Sequence, residues 1–90
     1  MRYIKVSWEH NFPDEPILCL SEIGDDDYET RKVNVYSDGR SEWADDGHET
    51  PSIGLSEIPF PELGEISRQP EFLAEEISAA EFDQAWRSSH

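Results

Sequence analysis

The chain has 90 residues, with 21 acids against 7 Lys plus Arg and a formal net charge of -14. That length suits one small domain, and that charge repels phosphate backbones and anionic membrane surfaces, which argues against binding to either. An aromatic content of 11% argues against a disordered chain and for a modest folded core.

In residues 3–10, Ile4, Val6 and Trp8 alternate with Lys5, Ser7 and Glu9, the period of a half-buried strand. Residues 11–16 hold Pro13 and Pro16 and form a loop, because proline denies ladder hydrogen bonds. Residues 17–23 are the most apolar run and predict a central strand. Gly24 with Asp25, Asp26 and Asp27 breaks that pattern into a turn. Residues 28–36 are β-rich, with Val33 and Val35 on one face and Lys32, Asn34 and Tyr36 on the other. Asp38-Gly39 then predicts a hairpin with both central residues at positive φ, and residues 41–44 return as a strand around Trp43.

Residues 46–61 are punctuated by Gly47, Pro51, Gly54, Pro59 and Pro61, and Ile53, Leu55 and Ile58 tie them down as an ordered loop. Residues 61–66 fit a helical turn with Pro61 in its first position, residues 70–74 another turn, and residues 75–77 an extended stretch. Ser78 and Glu81 form a capping box that opens a helix over residues 78–88, with Phe82, Ala85 and Trp86 on one face. The expected fold is a single α+β domain over residues 1–90. It has a four-stranded antiparallel meander over residues 2–45, a long ordered loop with short helical turns over 46–77, and the C-terminal helix packed on one face.

Chemistry-bearing patterns are sparse. Cys19 is alone in an apolar run, so it reads as a core residue without a disulfide or a thiol cluster. Asp25, Asp27 and Glu29 begin like a calcium loop, but its glycine position is Thr30 and its closing glutamate position is Tyr36. His48 between Asp46 and Glu49 lacks a second imidazole or thiolate to hold zinc. There is no nucleophile elbow and no phosphate-binding glycine loop, so neither an enzyme nor a metal or cofactor is expected. Arg2, Lys5, Arg31, Lys32 and Arg40 lie in the sheet half, but adjacent Arg31 and Lys32 point to opposite faces of a strand. These bases therefore read as strand ion pairs to Glu9, Glu22, Glu29 and Glu42 rather than as a nucleic-acid platform. The start of the chain lacks a signal-peptide core, and no run approaches the roughly 20 apolar residues of a membrane span, which implies a cytoplasmic protein.

What remains is a protein-binding surface. Residues 1–40 carry nine acids and five bases, whereas residues 41–90 carry twelve acids and only Arg68 and Arg87. Two loops gather acids beside aromatic residues: Asp25, Asp26 and Asp27 with Tyr28, and Asp45, Asp46, His48 and Glu49 with Trp43. An acidic rim around an aromatic anchor can cap a basic partner with fast association. The competing reading makes both loops solvated turns, with Trp43 facing the core.

Residues 1–8 (MRYIKVSW), 13–17 (PDEPI) and 21–23 (SEI) form the first part of a wider pattern. It continues through Arg31-Lys32-Val33, Asp38-Gly39, Pro59-Phe60-Pro61 and residues 76–78 (EIS), then Glu81-Phe82 and Trp86. In these the chain resembles an uncharacterised bacterial family, domain of unknown function 6881, over nearly its whole length. The resemblance implies a complete small domain and assigns no catalytic residue. Charge, size and the missing catalytic set together point to an acidic cytosolic binding protein, acting as a monomer or as an edge-strand dimer. Its expected role is an immunity protein or inhibitor that blocks a basic bacterial toxin or a nucleic-acid-binding enzyme. The alternatives are an accessory module whose acidity serves solubility, a phage-encoded nucleic-acid mimic, and a small metal-binding enzyme using Asp45, Asp46 and His48.

Overall fold

Alternating side chains and Asp-rich turns build the sheet that the sequence predicts, with one strand more. The computed structural model describes residues 1–51, 53–55 and 59–89. Its strands are β1 (Arg2–Trp8), β2 (Leu18–Ile23), β3 (Glu29–Val35), β4 (Ser41–Asp45) and β5 (Phe72–Glu76). Its helices are α1 (Leu63–Ile66) and α2 (Ala79–Ser88). The sheet is antiparallel in the order β4-β3-β2-β1-β5.

The fifth strand corrects the expected four-stranded meander. β5 returns from the long connection and pairs with β1, Ile4 opposite Glu76 and Trp8 opposite Phe72, so β1 becomes an interior strand. Of residues 70–74, expected as a turn, only 70 and 71 are one; 72–74 instead supply the first half of β5, and 75–76 of the extended stretch expected at 75–77 complete it. The described residues of 46–77 therefore comprise loop, one helical turn and a strand.

Two layers cover the sheet. Lys5, Leu20, Val33 and Trp43 lie in one row across four strands, on the face where α2 packs. Phe82 is the anchor: it is fully buried against Leu20 and Val33, with Tyr3, Trp43 and Trp86 around it. Ile4, Val6 and Trp8 point to the other face, toward the long connection and α1, so the strongest apolar alternation in the chain serves the loop layer. Ile53 is buried in that connection and Leu55 half-buried; Ile58 lies outside the described residues. The backbone N–H of Phe60 donates to Asp27 O at 2.7 Å and pins the loop to the β2–β3 turn.

The helix signals are met in part. Ser78 caps α2 by accepting the Glu81 N–H at 3.1 Å. The Glu81 carboxylate takes Lys5 Nζ at 3.0 Å, which ties the helix start to β1. Hydrogen bonds from that ammonium to Glu81 and Glu75 raise the pKa of Lys5. Pro61 precedes the cap of α1, which is Glu62, so the proline is not the first helical residue.

The two hairpin turns share one geometry. In residues 36–40, Gly39 N–H donates to Tyr36 O at 3.0 Å and Tyr36 N–H to Arg40 O at 2.8 Å. In residues 24–28, Asp27 N–H donates to Gly24 O at 3.0 Å and Gly24 N–H to Tyr28 O at 2.9 Å. Each is a three-residue loop with one residue in the left-handed region, Gly39 at φ 91° and Asp27 at φ 67°. Only Gly39 of the Asp38-Gly39 pair has positive φ, because the loop is one residue longer than the expected two-residue turn. Asp26 and Asp38 each accept the N–H two residues on, from Tyr28 at 3.1 Å and Arg40 at 2.9 Å. Gly39→Ala is expected to cost about 1–2 kcal/mol, since the backbone alone opposes a Cβ there. Asp27→Gly is expected to hold or raise the melting temperature; thermal unfolding of the two variants compares them directly.

Candidate protein-interaction site

The sheet gathers the candidate acids at one end. β3 starts and β4 stops there, with Arg31 opposite Asp45, so the turn at residues 24–28 and the chain leaving β4 emerge side by side. Asp25, Asp26, Asp27 and Tyr28 are exposed on the first. Asp25 is 4.0 Å from the N-terminal ammonium, and Asp27 is 3.5 Å from Arg2. On the second, Asp45 N–H donates to His48 O at 3.0 Å and Asp45 Oδ1 accepts Gly47 N–H at 2.9 Å, a tight turn that projects Asp46. Glu49 is exposed beyond it and accepts Leu55 N–H at 3.1 Å.

Trp43 and His48 are arranged differently. Trp43 lies in the row under α2, edge-on to Trp86 at 5.3 Å, and the His48 ring stacks on it at 3.8 Å with 17° between planes. Trp43 is thus half-buried packing that the loop covers, and Tyr28 is the more accessible aromatic at this end.

Beneath that end sits a half-buried ion network. Arg31 Nη2 is 2.6 Å from Glu22 Oε2 and 3.3 Å from Asp83. Its guanidinium lies 4.9 Å from both the Phe82 and Trp86 ring centres. Hydrogen bonds from Arg31 hold the Glu22 carboxyl below the usual carboxylate range despite its burial. The same bonds raise the pKa of Arg31. Arg31 joins β2, β3 and α2.

The opposite face has its own polar cluster. A register shift between β2 and β3 brings Glu29 and Lys32 to one side, where Lys32 Nζ is 3.1 Å from Glu29 and Ser21 Oγ donates to Glu29 at 2.8 Å. Val6, Cys19, Phe60, Ile66 and Phe72 join these around a cavity of about 460 Å³ under α1. Burial pushes the Cys19 thiol up, so it stays protonated at neutral pH beside Lys32. The sequence held little sign of this cavity, since its walls come from five separate segments.

Also unforeseen is an aromatic ladder at the far end of the sheet, running Phe72, Trp8, His10 and Phe12. Its one sequence signal is a Phe in a proline-bounded acidic loop.

Among the described residues no three His, Cys, Asp or Glu side chains are placed to hold a metal ion. No described helix is long and apolar enough to cross a membrane. No curated protein and no solved structure matches the chain. A family model does: Domain of unknown function (DUF6881) matches residues 2–90, nearly the whole chain. The chain belongs to that domain family.

Proposed function

We propose that this chain is a small cytoplasmic binding domain for a basic protein, acting as an immunity protein or inhibitor of a toxin or nucleic-acid-binding enzyme. The observation that carries the reading is the fate of its cations. Among the described residues, five of the seven lie in ion pairs within the fold: Arg2, Lys5, Arg31, Lys32 and Arg40. The chain's own positive charge is thereby largely neutralised, and the surplus of carboxylates is what a partner meets. Such a surface attracts a basic partner from a distance and deters acidic ones. A nuclease or other phosphate-binding enzyme fits best, because its site is already built for dense negative charge.

Co-purification on the tagged chain tests this. The expected partner is a protein with a basic face that elutes as salt is raised and whose activity the chain inhibits at stoichiometric ratio. Recovery only of neutral or acidic partners, or binding without inhibition, leaves an accessory module as the better description.

A further inference from the structure

The far end of the sheet carries a second kind of site. Trp8 closes β1, and its ring lies 4.1 Å from His10 and 5.6 Å from Phe72. His10 uses both ring nitrogens: Nδ1 accepts Phe12 N–H at 2.9 Å, so the neutral ring carries its proton on Nε2 and donates it to Pro16 O at 2.9 Å. That holds Phe12 in place while leaving it 62% exposed. Glu15 N–H donates to Phe12 O at 3.3 Å, closing a turn over residues 12–15. Trp8, Phe12, Pro13, Asp14 and Glu15 line a cavity of about 380 Å³. Among the described residues, neither the Asp14 nor the Glu15 carboxylate makes an ion pair or a side-chain hydrogen bond.

The fold itself contains an instance of what such a set holds. Arg31 is surrounded by one Phe, one Trp and two carboxylates, Phe82, Trp86, Glu22 and Asp83. Arg40 repeats the theme over Tyr36 at 4.7 Å with Asp38 at 2.8 Å. The chemistry is general: a ring face attracts a cation, and a planar guanidinium stacks on it while its edge donates to carboxylates. An ammonium is more strongly hydrated and has no plane to stack.

We propose that the cavity between Trp8 and Phe12, lined also by Asp14 and Glu15, binds an arginine side chain of the partner protein. The proposal rests on the basic-partner reading and adds the contact that anchors it. Nitrogen–proton correlation spectra of the intact chain, titrated with blocked arginine (N-acetyl-arginine amide), test it without the partner. The expected result is a saturable shift of the Trp8 indole N–H, with roughly millimolar affinity, while the Trp43 and Trp86 indoles stay still. Blocked citrulline, neutral and of the same shape, should not shift it, and blocked lysine should bind more weakly. Phe12→Ala, at an exposed position, should abolish the shift, as should Asp14→Asn with Glu15→Gln. No saturation, an equal response to citrulline, or lysine binding as tightly as arginine would overturn the assignment. Phe12→Ala should weaken a co-purified basic partner at least about tenfold. A basic partner that ignores that substitution overturns the pocket but leaves the basic-partner reading standing. Arginine binding with no basic partner found does the reverse.

Discussion

Replacing Arg31 by methionine is expected to destabilise the fold by about 3 kcal/mol, the lower end of the range for breaking a buried pair. The Glu22 side chain is only 8% exposed, so without Arg31 its carboxylate is left largely desolvated; Arg31 itself is 26% exposed, which moderates the cost. The guanidinium also leaves the faces of Phe82 and Trp86. The effect depends on pH with a definite sign. Because the folded Glu22 pKa is depressed, its contribution is fully present above the ordinary glutamate value and is lost as pH falls through the lower folded value. Arg31→Met gives up that contribution at neutral pH, so the gap from the parent chain narrows on acidification. Urea unfolding at about pH 7 and about pH 3 checks both the size and the trend. Adding Glu22→Gln should recover part of the loss. A gap under about 1 kcal/mol that ignores pH would mean that Arg31 and Glu22 behave as an ordinary surface pair.

Phe82→Ala is expected to cost about 3–5 kcal/mol and to loosen α2 from the sheet. Phe82 is the fully buried side chain of that helix, and a helix of ten residues is marginal without packing. Trp43 and Trp86 should then gain exposure together, since their edge-to-face contact sits beside Phe82. Tryptophan emission should shift to the red before the sheet melts. One cooperative transition with native emission up to its midpoint would contradict this, placing the helix within a single unit with the sheet.

The first four strands were legible because each announces itself locally. Ile4, Val6 and Trp8 alternate cleanly, and clustered Asp or Asp-Gly ends each hairpin strand. Of β5 only the end at Glu75 and Glu76 was legible as extended, because residues 72–76 read Phe-Leu-Ala-Glu-Glu, rich in helix formers and with Leu73 exposed. Its strand state comes from backbone pairing with β1, a distant partner that a local pattern does not reveal. The acids of the candidate surface could be found by charge alone, but their gathering at one end depends on strand order. For Trp43 the sequence left two faces open; the register with Val33 and Leu20 puts it under α2. Phe12 looked like a loop residue, and its place beside Trp8 depends on His10 holding two backbone groups.

The central claim is that negative charge on this chain recruits a basic protein. The association rate with the purified partner, followed by stopped flow as ionic strength is raised, tests it most directly. Between about 0.01 M and about 1 M salt the screening length falls from about 30 Å to about 3 Å. The predicted result is a rate that drops by a factor of about 100 or more across that range, with dissociation changing far less. An association rate that stays flat across it would contradict the claim and leave the acidity of this domain as a matter of solubility.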